Sequence, residues 1–156
     1  MIGAVDRSGT QIDETDRAII EQLQRDGRVP YTRLGAAVGL SEAAARQRVQ
    51  RLIDSGVMQV VAVTNPLASG YRRMAMVGVR TEGPTDDIAK SLQAMAEIDY
   101  LVVSAGSFDL MAEVVVADDG ALLDLTNRIR AVPGVRNTET FIYLDLVKQT
   151  FTWGAH

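Results

Sequence analysis

Cysteine is absent from the 156-residue chain, and histidine occurs once, as the final residue His156. The first absence excludes disulfides, zinc-thiolate sites and thiol catalysis. The second removes histidine-based triads and multi-histidine metal sites, so no metal ligand, cofactor or catalytic residue is assigned. No apolar run is long enough to span a bilayer and no secretion signal is read at the start, so no membrane partner is expected and the expected location is the cytoplasm. What is present is a hydrophobic content of 47%, enough for one medium core or two small ones.

The net charge of −4 argues at first against a nucleic-acid partner. Its distribution reverses that reading. Residues 1 to 64 carry eight arginines against eight acids, whereas residues 65 to 156 carry eight basic residues against twelve acids. Between residues 28 and 51, Arg28, Arg33, Arg46, Arg48 and Arg51 meet only Glu42 as a counter-charge. The basic charge is a local patch on an acidic molecule.

Asp13 is placed to cap a first helix running to about Asp26, with Ile19, Ile20 and Leu23 inward and Gly27 ending it. A short second helix covers Pro30 to Val38, with Leu34, Ala37 and Val38 on one side, and Gly39 breaks it. Ser41 is a good cap for a third helix whose inward stripe is Ala45, Val49, Leu52 and Ile53. Glu42, Ala43, Arg46, Gln47, Gln50 and Asp54 point outward, with Arg48 and Arg51 on the flanks. Two short helices joined by a glycine turn, the second narrow and basic, form a helix-turn-helix, with Gly35 and Ala45 permitting a close crossing. An ordinary three-helix cluster is the plain alternative. In a major groove Arg46 suits guanine, Gln47 and Gln50 suit adenine, and Glu42 suits cytosine. Arg28, Arg33, Arg48 and Arg51 are the expected phosphate contacts, and Tyr31, Thr32, Ser41 and Ala43 complete the DNA-facing set.

After Gly56 the period changes. Val57 to Thr64 is a short β-rich stretch, and Asn65-Pro66 with Ser69-Gly70 punctuates a linker. Strands follow at Arg72 to Arg80, Tyr100 to Ala105, Asp109 to Ala117 and Val135 to Val147, with helices at Asp86 to Ala96 and Asp119 to Val132. The order βαββαβ is that of a ferredoxin-like α+β sandwich. Its helices cover one face of the sheet, yet Met74, Met76, Phe141 and Tyr143 give the other face apolar character as well. A second copy of the same sheet is the economical cover, giving a twofold homodimer that presents two helix-turn-helix units. Met95 and Met111 are expected in packing, Asp86, Asp87, Asp118 and Asp119 at helix N-termini, and Trp153 near a frayed end.

The segments IDETDRAIIEQLQRDGR, VGLSEAAARQRVQRLIDSGV, NPLASG, AGSFDLMAEV and VPGVRNTETFIYL followed by VKQT occur in an order that resembles the Lrp/AsnC, or feast/famine, transcriptional regulators. The resemblance covers roughly Ile12 to Phe151. It implies an α+β fold in which a winged helix-turn-helix domain precedes a ferredoxin-like βαββαβ effector domain of the RAM type. The organisation expected is a flexible tail over 1–11, a DNA-binding domain over 12–59, a linker strand over 60–71 and an oligomerisation and effector domain over 72–156. It also implies operator DNA as partner, a homodimer assembling further into an octamer or similar ring, and an amino acid or related metabolite bound between C-terminal domains of neighbouring dimers.

Gly106-Ser107-Phe108-Asp109, read as a hairpin turn between the two central strands, looks like the family's Gly-Asp-Phe/Tyr-Asp turn, with Ser107 departing from the usual aspartate. Asp109 is suited to an effector ammonium, and the backbone near Gly106 to a carboxylate, because no Cβ intervenes. Ser104 belongs to the same pocket, and Arg136, Asn137, Thr138 and Thr140 resemble its second segment. Two other classes remain open at the level of sequence: an architectural DNA-binding protein without an effector, and a haem-modifying decarboxylase. The decarboxylases place their tetrapyrrole with histidines, of which this chain has only the terminal His156.

Overall fold

The computed structural model describes residues 11–150, so all but the last residue of the expected tail, together with Phe151, Trp153 and His156, lies outside the described residues. Two compact units are formed, one reaching Val63 and the other spanning Thr64–Val147.

The first unit holds α1 (Glu14–Arg25), α2 (Tyr31–Val38) and α3 (Glu42–Asp54). Asp13 opens α1 through a reciprocal box, accepting from the Asp16 N–H at 2.7 Å while the Asp16 carboxylate accepts from the Asp13 N–H at 3.2 Å. These bonds satisfy two backbone donors that a helix start leaves without partners. The helix stops at Asp26, which turns extended, rather than at Gly27, whose backbone takes no left-handed form. Gly39 ends α2 with φ of 72°, a conformation in which a Cβ would be strained. Ser41 then caps α3, its hydroxyl accepting from the Ala44 N–H.

The core of this unit is Ile19, Leu34, Ala45, Val49 and Leu52. Each large aliphatic side chain taken out of water stabilises it by about 1.5–3 kcal/mol. Ala37, expected inward, is exposed. Gly35 is buried, but what crowds it is the turn: a Cβ there would lie 2.7 Å from the Leu40 carbonyl oxygen. The close approach inferred for the pair Gly35 and Ala45 is therefore, at Gly35, an approach of the connecting loop.

Residues 57–65 form no strand, and Pro66–Ser69 make a single 3-10 turn, so neither a wing strand nor the linker strand expected over 60–71 is present. Among the described residues this β-favouring stretch forms no ladder with a neighbouring strand. A strand's stability comes from that neighbour more than from intrinsic preference.

The second unit has β1 (Arg73–Thr81), α4 (Asp86–Gln93), β2 (Ile98–Val103), β3 (Leu110–Val116), α5 (Asp119–Arg130) and β4 (Val135–Ile142). All neighbours pair antiparallel in the order β2-β3-β1-β4. Thus β2 is an edge strand, and the 104–109 turn joins an edge to the centre rather than joining two central strands. Val77, Val79, Leu110, Ala112 and Val114 form the floor of a core roofed by Ile88, Leu92, Leu122, Leu125 and Ile129. Expected Val147 as its end, β4 stops at Ile142, which faces Ala75 near the start of β1; one further bond, from the Tyr143 N–H to the Met74 carbonyl, closes the ladder. Met76, Met111, Phe141 and Tyr143 occupy the face without helices, where Phe141 is 47% exposed. No helix among the described residues is long and apolar enough to cross a membrane.

Candidate DNA-reading helix and ligand cleft

The outward face of α3 carries Glu42, Ala43, Arg46, Gln47 and Gln50 around an open hollow of about 560 Å³. Arg46 is tethered on both sides, to Glu42 at 3.2 Å and by stacking 4.6 Å over the Tyr31 ring. Gln50 donates to Asp54 at 2.8 Å. Gln47 is exposed and has no hydrogen-bond partner among the described residues. Arg28, Thr32 and Arg33 are exposed, and the two guanidinium groups have no ion pair among the described residues.

The flanking arginines behave differently. Arg48 contacts Asp13 at 2.6 Å and Asp16 at 2.9 Å, and Arg51 contacts the other oxygen of Asp16 at 2.5 Å. Asp16 is only 1% exposed. A carboxylate buried so far is tolerated because two guanidinium groups and a backbone N–H satisfy it. The Arg48 guanidinium holds the Asp13 carboxyl below the usual carboxylate range, aided by the Asp16 N–H, and hydrogen bonds to Asp13 and Asp16 push Arg48 up. The arginine surplus counted between residues 28 and 51 is therefore partly neutralised from α1. Arg48 and Arg51 fasten α3 to α1, a role that the local pattern did not suggest.

In the second unit a cleft of about 490 Å³ is lined by Arg80, Thr81, Ser107, Asp109, Arg136 and Asn137. Four of these were singled out in the sequence, and Arg80 and Thr81 were not. The register supplies the missing signal, because Arg80 lies opposite Asn137 across β1 and β4, just before a bulge at Thr81. Asp109 is built into the fold: its N–H donates to the Val79 carbonyl and its Oδ2 accepts from the Thr81 N–H at 2.7 Å. The carboxylate thus extends the β1–β3 ladder past its last pair, Val79 with Leu110.

The remaining pocket candidates are placed elsewhere. Phe108 lies flat on the sheet, where a Cβ on Gly78 would come within 2.7 Å of its ring, and it meets Phe141 edge-on at 6.0 Å. Ser104 donates to the Phe108 carbonyl at 2.6 Å and so closes the turn. Gly106 is exposed with open space beside it. Thr138 and Thr140 share the helix-covered face of β4, opposite Val79 and Val77. Thr138 is buried, its hydroxyl accepting from Arg130 at 2.8 Å, so it is withdrawn from the cleft by strand alternation.

Residues 12–53 match the AsnC-type helix-turn-helix domain, and residues 71–156 match the PF0864 C-terminal dimeric alpha+beta barrel domain. The chain is 31% identical over 141 residues to the HTH-type transcriptional regulator FL11 of Pyrococcus furiosus, spanning 89% of this chain and 93% of that one. It is similar to the leucine response regulatory protein LrpA of Mycobacterium tuberculosis, with a TM-score of 0.81 and 35% identity over 88% of this chain and 96% of that chain. A feast or famine regulatory protein from M. tuberculosis, solved in complex with L-methionine, gives a TM-score of 0.81 at 33% identity, covering 89% of this chain and 96% of that chain.

Proposed function

Since the chain belongs to the Lrp/AsnC family of transcriptional regulators, we propose that α3 reads an operator through Arg46, Gln47 and Gln50 while a small amino-acid effector occupies the cleft of the second unit. The observation that carries this reading is the outward face of α3, polar, exposed and bearing in Gln47 an amide without an internal partner. An amide so placed is suited to the paired donor and acceptor edge of adenine. Ser41, Glu42 and Ala43 begin the helix at its groove-facing end. Tyr31, Thr32, Arg28 and Arg33 flank it as backbone contacts. Arg48 and Arg51 contribute less to DNA than to holding the helix.

The exposed Phe141 and its neighbours support a homodimer through the helix-free face of the sheet. Such a dimer would present two reading helices to two half-sites, and further assembly towards an octamer would place effectors between neighbouring dimers. The methionine complex of the mycobacterial relative supports an amino acid as the class of effector.

The test is anisotropy titration of the full chain against its mapped operator and against random duplex at one salt concentration. Gln47→Ala is expected to weaken operator binding by about 1–3 kcal/mol and leave random DNA nearly unchanged. Equal loss on both would refute base reading by α3. Equal affinity of the parent for both duplexes would favour an architectural role instead.

A further inference from the structure

We propose that the cleft beside the β2–β3 turn takes an α-amino dicarboxylic acid, aspartate or glutamate; the proposal rests on reading this cleft as the effector site. All six lining residues, Arg80, Thr81, Ser107, Asp109, Arg136 and Asn137, are polar or charged. An apolar side chain such as that of leucine or methionine would gain little apolar surface from these residues. Among the lining residues two guanidinium groups stand against one carboxylate, Glu139 lying outside the lining, which disfavours a lysine side chain by like-charge repulsion.

The charged groups also divide in a way that fits three groups on one ligand. Arg136 is exposed and has no ion pair or hydrogen bond among the described residues. Arg80 rests 5.4 Å over the Phe108 ring, which Gly78 seats against the sheet. Its ion contact, Glu139 at 3.7 Å, is longer than a hydrogen bond, and both side chains are about half exposed, at 47% and 48%. The fork of Arg80 is therefore open to a carboxylate in bidentate geometry. Asp109 uses Oδ2 on the Thr81 N–H, and its other oxygen remains an acceptor for an ammonium. One carboxylate on Arg136, a second on Arg80 and an ammonium on Asp109 match the charges of the cleft group for group.

The deciding comparison is between each acid and its isosteric amide, because shape is held and only charge changes. In calorimetric titration of the full-length protein at fixed ionic strength, aspartate or glutamate is expected to bind at least about tenfold tighter than asparagine or glutamine, leucine or lysine. Arg136→Gln is expected to bring the acids to within about threefold of the amides, with an unchanged circular dichroism spectrum, since Arg136 is exposed. Tighter binding of an amide, leucine or lysine, or an acid preference that survives both Arg136→Gln and Arg80→Gln, would overturn the dicarboxylate assignment and leave the effector reading standing. No binding of any of the six amino acids at millimolar concentration would overturn both.

Discussion

Replacing Asp16 by asparagine keeps the shape of the side chain and removes the one buried charge among the described residues of the first unit. The carboxylate accepts from Arg48 at 2.9 Å, from Arg51 at 2.5 Å and from the Asp13 N–H at 3.2 Å. Removing one member of a fully buried ion pair costs about 3–5 kcal/mol. Here the arginine side chains are 30% and 49% exposed, so both rehydrate in part, and Arg48 keeps its 2.6 Å contact with Asp13. The expected cost is reduced accordingly, to about 2–3 kcal/mol. A unit of this size has only about 3–8 kcal/mol in total, and each kilocalorie moves its melting temperature by about 4–8 °C. Urea and thermal unfolding of the full chain, followed by circular dichroism, is expected to show the first unit melting about 10–20 °C lower. A cycle with Arg51→Met apportions the effect, and the two substitutions should cost less together than separately. An Asp16→Asn protein within about 0.5 kcal/mol of the parent, or strict additivity with Arg51→Met, would refute the clamp. Asp13 adds an acid limit: its carboxyl is held low in the folded chain, so its stabilising share is complete above the ordinary carboxylate value and is lost as pH falls through the depressed one.

Other outcomes follow from the same geometry. Arg28→Ala and Arg33→Ala are each expected to weaken operator and random DNA alike and to lower the salt slope of binding by about one, so a loss confined to the operator would contradict a phosphate role. Phe141→Glu is expected to shift a dimer to monomers at micromolar concentration in light scattering, because a charge would enter a desolvated contact; an unchanged mass would remove the helix-free face from the interface. Burial, with help from the Glu113 carboxylate at 3.0 Å, pushes the Tyr143 hydroxyl up to about 12. The folded chain thus keeps a proton that an unfolded tyrosine releases near 10. Stability is undiminished below pH 10 and falls as pH rises towards 12, which urea midpoints at pH 9, 10 and 11 would read; a flat series would exclude the effect.

The first unit was legible where its determinants are local. Asp13, Ser41 and Gly39 act on backbone groups within a few residues, and the three helices begin and end close to where those residues put them. Asp16 was opaque for the opposite reason. An aspartate in the first turn of a helix reads as an exposed partner of the helix dipole, and the arginines that bury it lie 32 and 35 residues away. The βαββαβ order was likewise readable from periodicity. The edge position of β2 and the facing of Thr138 depend on which strands lie side by side, and periodicity along one strand carries no such information. Arg80 escaped notice for the same reason. It joins Asn137 across the sheet only once β1 and β4 are in register.

The clamp at Asp16 divides α3 into positions with different freedom to change. Ala45, Val49 and Leu52 are fixed by packing, and Arg48 and Arg51 by a charge that another helix supplies. Ala43, Arg46, Gln47 and Gln50 are exposed, and no buried group depends on them. Substitutions there change stability by about 0.5 kcal/mol, and at Arg46, which stacks on Tyr31, by up to about 1 kcal/mol, so operator preference can be rewritten, by selection or by an engineer, without disturbing the fold. A recognition helix transplanted from a relative carries no such guarantee. It has to bring arginines to positions 48 and 51, or the recipient's Asp16 is left as a buried charge with no cation to face.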